Sequence, residues 1–264
     1  MTTIDAAVRE AVCNELSRIE SEHDVRIVYA CESGSRAWGF GSKDSDYDVR
    51  FLYVHATQWY LNIEVERQRD VIEVPIDDEL DVNGWDVRKA LVLFRKSNPP
   101  LYEWLHSPIV YREKGQCAAR MRELSPTTYN SIAAHYHYLR MAENTYRAYL
   151  RGRRVRRKKY FYALRPLLAL NWIERAKGVV PTQFASLVEG TIDDGNLLRE
   201  IDRLLQVKRE GAESDEGPRF PGVHDFIERE LKRHHDAPSP TPANPARTKQ
   251  LNELFRDVLD ENAI

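Results

Sequence analysis

Residues 31–53, CESGSRAWGFGSKDSDYDVRFLY, decide how the rest of the chain is read. The stretch opens on a Gly34-Ser35 turn. Asp46 and Asp48 follow on either side of Tyr47 and lead into an alternating run, 47–54. Residues two apart on a strand share a face, so the two aspartates are expected side by side. Aspartate is poorly suited to a strand. Like charges so close repel unless a cation or an arginine lies between them. Two hard oxygen ligands at this spacing suit Mg²⁺, and the Gly-Ser turn suits a phosphate held by backbone N–H groups and a hydroxyl. The competing, purely structural reading is a turn followed by a half-exposed strand.

Working outward, Ile4, Ala7, Val8, Ala11, Val12, Leu16 and Ile19 recur at helical spacing over residues 4–22. Residues 25–31, VRIVYAC, read as a buried strand and 47–54 as a second. Residues 71–76 predict a third strand, with Pro75 at an edge or end. A short fourth is expected over 79–82, before a turn at Asn83-Gly84. A helix then runs from Trp85 until Asn98-Pro99-Pro100 stops it, and 109–112 is extended. Beyond Ser125-Pro126 the pattern changes to long helices, at 127–151, 156–177, 184–188, 197–207, 220–233 and 251–259. Residues 211–218 read as a loop, and the four prolines of 236–246 as a linker. The expected organisation is an α+β head over 1–125 followed by an all-helical domain over 126–264.

The chain has 264 residues, enough for two modest cores. No apolar run approaches the ~18 residues of a membrane span, so no membrane partner is expected. The first residues, MTTIDAAVREAV, lack a basic segment followed by an apolar one, so no secretory leader is expected. Three unevenly spaced cysteines (Cys13, Cys31, Cys117) argue against a disulfide framework or a zinc site and fit a reducing cytoplasm. Nothing in the sequence sets an oligomeric state. Net charge is −2, which excludes a general polycation, yet seven of the nine residues 151–159 are Arg or Lys.

A third carboxylate would complete a two-metal site. Glu73, Asp77, Asp78, Glu79, Asp81 and Asp86 are candidates. Asp81 lies between Leu80 and Val82, placed to point from a neighbouring strand toward Asp46 and Asp48. Asp86 is more simply explained by the first turn of the following helix. The residues alone leave this choice open. In the basic run, Arg154, Lys158, Tyr162 and Arg165 fall near one helical face. Lys158 and Arg165 are expected to meet the β/γ-phosphates of a nucleoside triphosphate, with Tyr160 or Tyr162 stacking on a base. The outer arginines would neutralise an RNA or DNA backbone. The purely structural reading of that run is a solvated helix end. Ser33, Ser35, Arg36 and Lys89 are further candidates, Arg36 for a phosphate or a neighbouring carboxylate. His135 and His137 read as packing, His234-His235 as solvated, and Trp38, Trp85, Trp104 and Trp172 as core.

Gly-Ser, a spacer of about ten residues, then Asp-x-Asp between apolar flanks resembles the signature of the DNA polymerase β nucleotidyltransferase superfamily. More narrowly, GSRAWGF followed by DSDYDVRFLYV resembles a bacterial and phage family of predicted nucleotidyltransferases, named for an RNA-repair-pathway, DNA-polymerase-β-like enzyme. Residues 81–89 (DVNGWDVRK), 97–99 (SNP), 103–111 (EWLHSPIVY) and 158–166 (KKYFYALRP) share the likeness. The family's third carboxylate falls on Asp81. The resemblance implies a polymerase β-like palm and a nucleotidyltransferase of EC 2.7.7 type. Asp46, Asp48 and Asp81 would be both catalytic and metal-binding, with Mg²⁺ or Mn²⁺. Gly34, Ser35, Arg36, Lys158 and Arg165 would bind the nucleotide. An RNA end, in a repair setting, is the implied acceptor. The alternatives are transfer to a small molecule or a protein, and an inactive nucleic-acid-binding module that kept the fold.

Overall fold

The computed structural model describes residues 4–42, 44–75, 80–210, 216–236 and 248–262. They form two compact units. The first carries α1 (Ala6–His23), β1 (Arg26–Glu32), α2 (Gly34–Ala37), β2 (Tyr47–Val54), α3 (Thr57–Tyr60), β3 (Val71–Glu73), β4 (Leu80–Asp86), α4 (Val87–Arg95), α5 (Pro99–Leu105), β5 (Val110–Glu113) and α6 (Cys117–Thr128). The strands make one mixed sheet in the order β3-β4-β2-β1-β5. β2 runs antiparallel to β1 and parallel to β4.

The sheet's two faces are set by alternation. α1 lays Val12, Leu16 and Ile19 against Ile27, Val49, Phe51, Tyr53 and Val82. That assigns the odd positions of β2 to the α1 face and leaves Asp48 and Arg50 on the other. On that opposite face Tyr29 donates to the Trp104 carbonyl of α5 at 2.6 Å. Covered on both sides, β1 reads as an unbroken apolar run rather than an alternating one.

The second unit carries α7 (Ser131–Thr145), a π-helical turn (Tyr146–Leu150), β6 (Arg154–Arg156), α8 (Lys158–Glu174), α9 (Phe184–Thr191), α10 (Gly195–Glu210), β7 (Glu216–Pro218) and α11 (Pro221–Asp236). β6 and β7 pair antiparallel. Residues Trp38–Ser45 also belong to this unit, while α12 (Thr248–Glu261) belongs to the first. The division is therefore interleaved, where the sequence reading drew one boundary near residue 125. α12 sets Phe255 edge-on against Tyr60, with ring centroids 5.1 Å apart. No described helix is long and apolar enough to cross a membrane.

Several sequence expectations change. Asn83-Gly84 is not a turn but the middle of β4, paired with Arg50 and Phe51 of β2. A Cβ on Gly84 would overlap the Phe51 ring, so the glycine is there for close packing. The helix after it begins at Val87, with Asp86 as its N-cap. α6 continues through Pro126 to Thr128. The helix expected from residue 156 begins at Lys158, because Arg154–Arg156 form β6, paired with the distant β7. Most of the proline-rich 236–246 segment lies outside the described residues, as do Ile76, Asp77, Asp78 and Glu79.

Candidate active site

The first unit's candidate residues gather where β1 ends and β2 begins. Gly34 has φ +58, the left-handed region that favours glycine. A Cβ there would fall inside Asp48 Oδ2, so the Gly34 backbone and the Asp48 carboxylate need each other's shape. The Ser33 amide donates to the Asp48 carbonyl at 2.8 Å. The Asp48 amide donates to Glu32 Oε1 at 3.0 Å. Glu32 is fully buried. Its other oxygen accepts from the Tyr111 hydroxyl at 2.6 Å, and its carbonyl accepts from Ser107 Oγ at 2.6 Å. Burial pushes the Glu32 carboxyl up to about 7, against the lowering pull of Tyr111 and the Asp48 amide.

Asp48 and Asp81 are direct partners across the parallel β2–β4 pair, so their side chains share a face. Between them sits Arg50. Its Nη2 lies 3.1 Å from Asp48 Oδ1 and 2.7 Å from Asp81 Oδ2. Its Nη1 donates to the carbonyls of Asp81 at 2.7 Å and Val49 at 3.0 Å. One guanidinium thus holds two carboxylates that would otherwise repel. Arg50 escaped the sequence reading although it stands two residues after Asp48, the same-face spacing that singled out Asp46. Glu32 was missed too. The available signal was a carboxylate at the end of an apolar strand run.

Asp46 is exposed, one residue ahead of β2. Its carbonyl accepts from Arg36 Nε at 3.3 Å, and the Arg36 guanidinium lies 3.8 Å over the Tyr47 ring. Arg36 and Ser35 are buried, so Arg36 anchors the chain around Asp46. Among the described residues no three His, Cys, Asp or Glu side chains form a ready metal group. The donor chemistry nonetheless fits a divalent cation, since Asp48 and Asp81 offer hard oxygens that already converge on one positive nitrogen. Asp86 is buried and occupied. It caps α4 by accepting from the Arg88 amide at 2.8 Å and takes the Tyr60 hydroxyl at 2.6 Å. Burial raises its carboxyl to about 6. Lys89 pairs with Asp70 at 2.7 Å.

The remaining candidates lie in the second unit, and three are corrected. Arg165 is 1% exposed. Its guanidinium stacks 4.7 Å over Trp38 and donates to the carbonyls of Pro181 and Thr182 at 3.4 and 3.3 Å. It is a buried strut rather than part of an exposed cationic stripe. Its position on a strongly apolar helix turned it inward. Tyr160 is buried as well, whereas Tyr162 is exposed. His234, expected in solvent, is buried beside Glu174 and Asn171, with its pKa lowered to about 4 by burial. Lys158 opens α8 and is half-buried.

Comparison with known proteins places the chain in a family. The chain is 46% identical over 255 residues to the uncharacterized protein YcgL of Bacillus subtilis (strain 168), covering 96% of this chain and 97% of that one. A nucleotidyltransferase-like protein from Exiguobacterium sibiricum 255-15 aligns over 94% of this chain and 80% of its own, at 12% identity and a TM-score of 0.33. Residues 8–257 match the RNA repair pathway DNA polymerase beta family, RlaP, a polymerase β-like nucleotidyltransferase family. The match spans both units, and the chain belongs to the RNA repair pathway DNA polymerase beta family.

Proposed function

We propose that this protein transfers a nucleoside monophosphate from a nucleoside triphosphate to the hydroxyl of an RNA end, using a divalent cation. One observation carries the reading. Asp48 and Asp81 stand in register on neighbouring parallel strands, joined by a single cation-bearing side chain, with Gly34 pressed against Asp48. Two carboxylates facing one positive centre, beside a glycine turn that leaves backbone accessible, suit a metal-dependent phosphoryl chemistry.

Asp48 and Asp81, with Asp46, would hold Mg²⁺ or Mn²⁺, which supplies charge neutralisation at the triphosphate. The Gly34-Ser35 turn is assigned to the β/γ-phosphates. Lys158, in the helical unit, is assigned to phosphate on its charge and on its place in KKYFYALRP. The acceptor oxygen forms a bond to the α-phosphorus as the bond from that phosphorus to the bridging oxygen breaks. Pyrophosphate departs with the electron pair. The acceptor proton passes to the Asp81 carboxylate and then to solvent. Glu32 and Tyr111 hold the Asp48 backbone, so the carboxylate is placed by strands rather than by a loop.

Incubation with Mg²⁺, each α-labelled nucleotide and total RNA tests this. Label should appear on RNA and vanish in the Asp46→Ala/Asp48→Ala double variant. No transfer to any acceptor, with wild type and double variant indistinguishable, would overturn the reading. Label on a protein or a small molecule would keep the donor chemistry and reassign the acceptor. RNA binding should weaken steeply with salt.

A further inference from the structure

The second unit carries a surface that the proposed chemistry does not use. At the end of α7 the chain makes a π-helical turn, Tyr146–Leu150, an arrangement that often marks a functional position. Tyr149 on this turn is 44% exposed, and Tyr162 on α8 is 36% exposed. Both rings address one ammonium group. Lys159 Nζ lies 4.5 Å from the Tyr149 centroid and 4.8 Å from that of Tyr162. Tyr162 is braced from within by Trp38, edge-on at 5.4 Å. Trp38 in turn carries the buried Arg165. The buried Arg165 strut therefore lies behind this platform.

Between the two tyrosines runs the most basic part of the chain. Arg151, Arg153, Arg154 and Arg156 are exposed. The loop is fixed rather than slack. Arg219 donates to the carbonyls of Gly152 at 2.8 Å and Arg151 at 2.5 Å, and Arg154–Arg156 pairs with Glu216–Pro218. Glu216 meets Arg156 at 3.3 Å, and Glu228 takes the Tyr146 hydroxyl. Even with these acids counted, the surface is strongly positive.

We propose that this face docks single-stranded RNA, with Tyr149 and Tyr162 stacking on bases and the arginines of residues 151–156 lying along the phosphates. The proposal rests on the RNA-acceptor reading above and supplies its binding surface. Exposed aromatics set among fixed cations match the alternation of base and phosphate in a single strand. A duplex offers no free base faces to stack. An acidic peptide would use the arginines but leave the paired tyrosines without a role.

The test is fluorescence anisotropy of the full chain with a labelled single-stranded RNA, the same sequence as duplex RNA, and an acidic peptide, over a salt series. Tyr149→Ala and Tyr162→Ala should each weaken single-strand binding about 5- to 50-fold, while Tyr149→Phe keeps it. Arg153→Glu should lower affinity and flatten the salt dependence. Thermal midpoints confirm folding, and Mg²⁺-triphosphate binding should be unchanged in the Tyr149 and Arg153 variants. Wild-type affinity in both alanine variants, or tighter binding of duplex or peptide, overturns the platform while leaving nucleotide transfer intact. Conversely, tyrosine-dependent RNA binding by a protein that transfers no nucleotide would sustain the platform and sink the catalytic reading.

Discussion

Replacing Arg50 by methionine probes whether Asp48 and Asp81 form a cation site. Methionine keeps much of the stem and deletes the guanidinium. Two carboxylates are then left on directly opposed strand positions, with side chains about 5 Å apart by strand spacing. At an effective dielectric constant of about 20 their repulsion is about 3 kcal/mol. The carboxylate side chains are 26% and 35% exposed, so solvent screening reduces this to about 1–2 kcal/mol. Loss of the hydrogen bonds to the Val49 and Asp81 carbonyls adds about 1 kcal/mol. Arg50→Met should therefore lose about 2–3 kcal/mol in metal-free buffer. Magnesium should reverse much of that loss. In the wild type it competes with the guanidinium; in the variant it meets unshielded carboxylates. A tenfold gain in affinity corresponds to about 1.4 kcal/mol of extra stabilisation at saturation. Urea unfolding with and without MgCl₂, at ionic strength matched by NaCl, reads both effects. If magnesium stabilises Arg50→Met no more than the wild type, the carboxylates do not form a cation site and the reasoning fails.

Three further perturbations follow from the same geometry. Gly34→Ala forces a side chain into Asp48 at a left-handed backbone position and should cost about 2–3 kcal/mol in thermal unfolding, with transfer abolished; wild-type stability would contradict the packing. Asp86→Asn tests a pH dependence. The folded carboxyl keeps its proton up to about 6, whereas an unfolded aspartate loses it near 4. The folded state thus binds more protons in between, so the Asp86 contribution falls as pH rises from about 4 to about 6, by roughly 2–3 kcal/mol. Asparagine caps a helix equally well, so the variant should lack that slope in denaturant titrations across the window; a parallel slope would refute the assignment. Arg165→Met should destabilise the protein by about 2 kcal/mol as the Pro181 and Thr182 carbonyls lose their donor, with triphosphate affinity unchanged by calorimetry. Weakened triphosphate binding in a folded variant would return Arg165 to the phosphate site.

The sequence was most legible where chemistry and periodicity coincide. β2 reads directly as residues 47–54 because its first half alternates, with Asp48 and Arg50 only half-buried, and its second half is a continuous buried apolar run. Asp81 is one of six candidate carboxylates, singled out by its apolar flanks and by the family resemblance, and only the β2–β4 register sets it directly beside Asp48. Gly84 could not be read, since a glycine after asparagine signals a turn unless the Phe51 ring above it is known. Arg165 and His234 were misread for a related reason. Local spacing marks a face of a helix, but which face meets the core depends on partners such as Trp38 and Glu174, distant in sequence. Glu32 and Arg50 are polar residues whose partners come from other strands and loops, and a pattern built on apolar periodicity passes over them.

The spacing between Ser35 and Asp46 has its own physical cause. It could be taken as slack joining a turn to a strand. In the structure, Trp38–Ser45 is drawn into the helical unit. Phe40 stacks on Phe161 at 4.5 Å and meets Phe184 edge-on at 5.5 Å. The Trp38 carbonyl accepts from the Phe184 amide at 2.9 Å. Lys208, buried, donates to Ser42 Oγ at 2.9 Å, and Ser45 is bonded with Ser42 immediately before Asp46. The aromatic and serine content of the spacer is therefore core packing of one unit inserted into the site motif of the other. The aromatics of GSRAWGF and the Asp48 carboxylate thus lie close in sequence but belong to different units. Asp46 also has a different support from Asp48. Asp48 is positioned by a strand ladder, Glu32 and Gly34, whereas Asp46, ahead of the strand, is held at its carbonyl by Arg36.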